Sequence, residues 1–131
     1  MSHVTNINMK IKDLDAMAEG AAPEWGLEFL RDQKKFMTYG GVQNACDHAM
    51  RLKDHQRGDF ELGLVKNGDE YELKGDLWGQ TRLLEAVGGP QFNKLKREYT
   101  VAVSMRNAPR GFIASRQALP NNRVRLALRK R

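Results

Sequence analysis

Residues Asp59–Gly79 read DFELGLVKNGDEYELKGDLWG. Two strand-like runs flank Asn67-Gly68, a dipeptide suited to the positive φ angles of a type I′ turn. A two-residue loop there predicts a register. Leu64 is expected opposite Tyr71, Leu62 opposite Leu73 and Phe60 opposite Gly75, all on one face because side chains alternate along a strand. On the other face Glu61 is expected across from Lys74, an ion pair of roughly a few tenths of a kcal/mol. The hairpin reads as scaffold, because no residue in it demands a chemical explanation.

The stretches before the hairpin supply more strands. Thr5 to Lys12 alternates, with Ile7, Met9 and Ile11 on one face and Asn6, Asn8, Lys10 and Lys12 on the other, as a half-buried strand does. Asp13 is a good N-cap for a short helix with Leu14, Met17, Ala18 and Ala21 inward, and Gly20 and Pro23 are expected to stop it. Short strands follow at Leu27–Phe29 and Phe36–Tyr39, the second ended by Gly40-Gly41. Val42 to Lys53 fits two templates. As a helix it lines up Val42, Cys46, Ala49 and Leu52; as a strand it puts Cys46, His48, Met50 and Leu52 on one face.

Beyond the hairpin, a short helix is expected over Thr81–Val87, with Leu83, Leu84 and Val87 apolar. Gly88-Gly89 breaks it and Pro90 suits the first turn of the next helix. In that helix Phe92, Leu95, Tyr99, Ala102 and Met105 recur at spacings of three and four, and it ends near Asn107. Lys94, Lys96, Arg97 and Ser104 are expected to face outward. A second hairpin closes the chain, Phe112–Ala118 and Arg123–Arg129 joined at Pro120-Asn121-Asn122. Val124, Leu126 and Leu128 are expected to point inward and Arg123, Arg125 and Arg129 outward. The order predicts one α+β domain over residues 1–131, in two layers. A mostly antiparallel sheet carries helices on one face, with a ferredoxin-like split βαβ core and added hairpin strands.

Composition bounds the function. Apolar residues make up 40% and charged residues 29% of 131, which suits a globular domain with a real core. No apolar run reaches the roughly 20 residues that span a bilayer. The opening MSHVTNINMKIKD shows no signal-peptide pattern. Cys46 is the single cysteine, which leaves no internal disulfide and fits a reducing cytoplasm. Charge is segregated: residues 1–93 carry 11 Lys/Arg against 15 Asp/Glu, a net of −4, and residues 94–131 carry 11 against one, a net of +10. Such asymmetry points to an anionic partner, or to a solvated basic tail.

Candidate chemistry is sparse. Cys46 and His48, with His55 nearby in sequence and His3 from the first strand, are the candidate metal ligands, and one Cys-x-His is half a zinc site. A buried cysteine beside a satisfied histidine is the preferred explanation of the pair. As a nucleophile and base the two sit too far apart on a strand, and no third group orients them. There is no Gly-x-Ser-x-Gly, phosphate-cradling glycine loop or dinucleotide fingerprint. No catalytic residue and no cofactor is therefore assigned. The basic end remains: Arg106, Arg110, Arg116, Arg123, Arg125 and Arg129, with Lys130 and Arg131, could neutralise several phosphates of a nucleic acid or nucleotide. Phe112 is the one aromatic of the final hairpin, so base stacking and sequence reading are not expected. The last strand, VRLALRKR, could equally be a sheet edge that meets a protein or a second copy.

The opening MSHVTNINMKIKDLDAM, the pair CDHAMR and FELGLVKNGDEYELKGDLWG, and KLKREYTVAVSMRNAPRGF before RVRLALRKR resemble the hypothetical chloroplast reading frame thirty-five family. This is a domain of unknown function in plastids, bacteria and tailed phages. The likeness runs over nearly the whole chain and departs from the family at Asp54–Arg57 and in the PNN turn. It implies a compact α+β fold, a strand at Ala45–Leu52 and a phage or bacterial source. It implies no activity. An AAA+ ATPase is one protein partner it implies; a host defence factor blocked by a small phage protein is another reading.

Overall fold

The structure, a computed structural model, describes residues 4–38, 41–77, 79–108, 111–120 and 123–130. It is an α+β arrangement around one antiparallel sheet. The strands are β1 (Thr5–Ile11), β2 (Leu27–Leu30), β3 (Lys35–Met37), β4 (Gln43–Ala45), β5 (His48–Leu52), β6 (Leu62–Asn67), β7 (Glu70–Gly75), β8 (Phe112–Leu119) and β9 (Arg123–Lys130). Five of them form a sheet in the order β1-β7-β6-β5-β2, with every neighbouring pair antiparallel. β3–β4 and β8–β9 each pair as a separate two-stranded ribbon.

The expected split βαβ is present in a wider form. β1 passes through a helical segment to β2, and the two run parallel at opposite edges of the sheet. Three strands fill the split, where a ferredoxin-like core has one. β5, β6 and β7 are joined by short connections, and such a meander enters the gap as a unit.

The central hairpin keeps its faces and changes its register. Leu64 pairs with Leu73, Val65 with Glu72 and Asn67 with Glu70, so the turn is Gly68-Asp69 and not Asn67-Gly68. Gly68 has φ +70° and Asp69 is not among the positive-φ residues. A type I′ turn needs two such residues in succession, whereas glycine at the first central position suits type II′. Moving the turn by one residue shifts the partners by two, and a shift of two leaves each side chain on its face. Gly63, not Glu61, therefore lies opposite Lys74. Glu61 is buried just before β6. Its carboxylate accepts the Met37 amide at 2.9 Å and the Gln33 Nε2 at 3.2 Å. It thus pins the small β3–β4 ribbon to the sheet.

The helical layer covers one face. Asp13 Oδ1 accepts the Ala16 amide at 3.0 Å, as an N-cap does. The chain then winds as a π-helical turn over Ala16–Ala21 and closes as α1 (Ala22–Glu24). The expected stops at Gly20 and Pro23 do not act. Pro23 sits in the first turn of α1, where its missing N–H costs nothing. A Cβ on Gly20 would fall 2.7 Å from the Ala102 Cβ, so this glycine lets the next helix come close. α2 (Thr81–Val87) and α3 (Asn93–Arg106) follow, and Phe92, at φ +57°, begins α3 where Pro90 was expected to. Met17, Ala21, Leu83, Val87, Phe92 and Leu95 pack on Ile7, Ile11, Leu27, Met50, Leu62 and Leu73 as one core.

Val42–Lys53 resolves as two strands with a break at Cys46-Asp47. Met50 and Leu52 join the helix-side core, while Cys46, Ala49 and Phe36 form a second cluster on the other face. That cluster has room because Gly63 leaves the sheet surface bare beneath the Phe36 ring.

Candidate nucleic-acid interface

The basic C-terminal segment forms the β8–β9 ribbon. Its register is Leu119 with Arg123, Gln117 with Arg125, Arg116 with Leu126, Ala114 with Leu128, Ile113 with Arg129 and Phe112 with Lys130. Directly opposed residues share a face. Positions 123, 125 and 129 therefore belong to one alternating set. Position 116 belongs to the other, with Leu126 and Leu128, so β8 does not extend the arginine row of β9. Arg125 and Arg129 are exposed. At about 3.4 Å per residue they stand about 14 Å apart along the strand. The expected inward turn of Leu128 does not occur. It is 52% exposed and Phe112 38%. Among the described residues neither core cluster takes a member from this ribbon, although it meets α3.

Residues 107–131 hold seven Lys/Arg and no Asp/Glu. Three of the four cations of α3 are engaged elsewhere. Lys94 Nζ lies 5.0 Å and Arg97 Cζ 5.5 Å from the Trp25 ring centroid, in cation–π range. These expected outward residues thus fasten α3 to the Trp25 segment. The Arg106 guanidinium reaches Asp13 at 3.1 Å, Asp15 at 3.6 Å and Glu19 at 3.8 Å. Arg106 therefore sits in a carboxylate network. Arg110 and Arg131 lie outside the described residues. Glu98 is buried on α3, three residues after Leu95 and four before Ala102, so the spacing that marks the apolar stripe also marks its position.

The Cys/His set is dispersed. Cys46 Sγ donates to the Gln33 carbonyl at 3.1 Å. Burial pushes its thiol up to about 11, and the carboxylates of Asp47 and Glu61 add to the effect. A thiol that stays protonated at neutral pH is a poor nucleophile. His48 belongs to the opposite face, beside the Phe29 and Tyr71 rings at 5.8 and 5.4 Å. Its Nδ1 accepts the Asp32 amide at 3.0 Å. His55 is in the loop after β5, with its Nδ1 buried and unpartnered among the described residues. His3 lies outside them. No group of three or more His, Cys, Asp or Glu converges on a metal position among the described residues.

His48 carries a prediction. Burial holds its pKa below the ordinary 6.5, outweighing the Asp32 carboxylate 3.9 Å away. The unfolded chain therefore takes the proton first. The contribution is intact above about pH 6.5 and is lost as pH falls below that value. The acid limb of a melting-temperature profile should be steeper in the parent than in His48→Gln. Parallel limbs would contradict this.

Compared with protein-family models, with curated proteins and with solved structures, the chain matches none.

Proposed function

We propose that the protein is a non-enzymatic binding protein whose β8–β9 ribbon engages nucleic acid through its arginines. The observation that carries this reading is the ribbon itself: two eight-residue strands, about 26 Å long, in a segment with seven cations and no acid. A two-stranded ribbon is narrow enough for a major groove, and arginine forks match phosphate geometry. Exposed aromatics for stacking are limited to Phe112 in the ribbon, which falls in the set opposite Arg125 and Arg129. That favours backbone tracking over base recognition. A nucleotide ligand is a smaller version of the same chemistry. The likeness to the chloroplast reading-frame family, a cytoplasmic setting and a phage or bacterial source belong to this proposal too. Among the described residues no helix is long and apolar enough to cross a membrane.

The test is fluorescence anisotropy with random single-stranded and duplex probes across a salt series. Log affinity should fall linearly with log salt, with a slope of about −3 to −6 for several phosphate contacts. Absence of binding at low salt would overturn the reading. A protein-directed adaptor or inhibitor, with an ATPase or host factor as partner, is the second reading, and the exposed Leu128 favours it.

A further inference from the structure

The two faces of the β8–β9 ribbon differ in what stands beside their cations. One alternating set pairs Leu119 with Arg123, Gln117 with Arg125, Ser115 with Ala127 and Ile113 with Arg129. The other holds Arg116 and Lys130 together with Phe112, Leu126 and Leu128. In the first set Ser115, Gln117, Arg125 and Arg129 are all exposed. That face therefore has a cationic strand, β9, beside a neutral strand, β8, whose two central positions are a hydroxyl and a primary amide. It carries no aromatic residue, since Phe112 falls in the other set.

We infer that the partner is B-form duplex DNA, and that the face of Gln117 and Arg125 lies along its major groove. The inference rests on the nucleic-acid reading above and narrows it to one form of nucleic acid. Single strands are held by stacking their bases on aromatic side chains, and this face offers none. A duplex hides its base faces and presents one phosphate charge per about 1.7 Å of axis, against about 3.4 Å for each strand alone. Width selects the groove. Two strands about 4.8 Å apart span about 10 Å with their side chains. That fits a major groove about 12 Å wide and not a minor groove about 6 Å wide. The major groove of an RNA duplex is too deep and narrow for such entry. Along the DNA groove Arg125 and Arg129 stand about 14 Å apart, or about four phosphate steps of one strand. Ser115 and Gln117 lie over the base edges. A hydroxyl and an amide each donate and accept, so they meet any sequence there, and the contact stays independent of sequence.

Fluorescence anisotropy of the full chain with probes of one length and sequence tests it: duplex DNA, single-stranded DNA and duplex RNA. Duplex DNA should bind at least about tenfold tighter than either of the others. Gln117→Glu and Leu128→Glu each lower the ribbon's charge by one, on opposite faces and at exposed positions. Circular dichroism should therefore show both folded as the parent is. Gln117→Glu should weaken duplex binding by roughly tenfold, and Leu128→Glu by about threefold or less. Dimethyl sulfate methylates guanine N7 in the major groove and adenine N3 in the minor groove. Saturating protein should suppress the first reaction and leave the second. Equal affinity for single strands or duplex RNA, equal losses in the two variants, or protection of adenine N3 alone would each overturn the inference and leave the nucleic-acid reading in place. Binding to no probe at low salt would overturn both.

Discussion

Alanine at position 63 should destabilise the protein by about 1–3 kcal/mol, and valine by more. The Cβ of any side chain there would fall 2.5 Å from Cε1 of Phe36, inside contact distance for the whole ring edge. Neither wall can yield easily. Phe36 is 1% exposed in the second cluster. Gly63 sits in β6, which is bonded to β5 through Ala49 and to β7 through Lys74. Phe36→Ala should cost about 3–5 kcal/mol for the emptied ring site. The double variant should be less destabilised than the two single changes added together. Once the ring is gone, the three atoms nearest the Cβ at 63 go with it and the methyl fills part of the space, so Gly63→Ala should cost much less. Urea unfolding of the four proteins measures the coupling. Strict additivity would show that the ring does not rest on Gly63.

Gly63 also marks the boundary of what the sequence could disclose. The alternation of Leu62, Leu64, Tyr71 and Leu73 made one face of the central hairpin legible, and the structure keeps it. The register was not legible. Asn67-Gly68 and Gly68-Asp69 both offer turn chemistry, and a two-residue shift leaves the hydrophobic pattern unchanged. The helices α2 and α3 were readable because periods of three and four over seven and fourteen residues have no strand counterpart. The N-terminal helix was cut short on paper by Gly20 and Pro23. Local propensity does not see Ala102 pressing on Gly20. The strand reading of Val42–Lys53, one of two open, put Cys46 and His48 on one face. The break at Cys46-Asp47 sends them to opposite faces, which no periodicity argument over so few residues anticipates.

For the basic segment, composition identified the surplus of charge and could not apportion it. Lys94 and Arg97 lie over Trp25, and Arg106 lies among three carboxylates. Partners such as these come from elements remote in sequence. The burial of Glu61 was invisible for the same reason.

That apportionment sets the terms of the second large prediction. Arg125→Glu with Arg129→Glu should weaken nucleic-acid binding by roughly a hundredfold or more at low salt. It should also reduce the salt slope by about two. Two phosphate contacts are lost and two like charges take their place. Both side chains are exposed, so the melting temperature should not move. Arg106→Gln is the matched control. It removes a cation of the same sequence region, but one whose charge Asp13, Asp15 and Glu19 already compensate. Its side chain is 45% exposed, so screening limits the network to about 1 kcal/mol or less of stability. The control should therefore melt slightly lower and bind nucleic acid as the parent does. If Arg106→Gln weakens binding as much as the double reversal does, the contact surface runs along α3 and the ribbon assignment fails. If the double reversal binds like the parent, the ribbon's charge serves a protein partner. If only the ribbon variant loses affinity, its arginines hold the phosphates, because the two variants then differ in whether the altered cation has a carboxylate partner among the described residues.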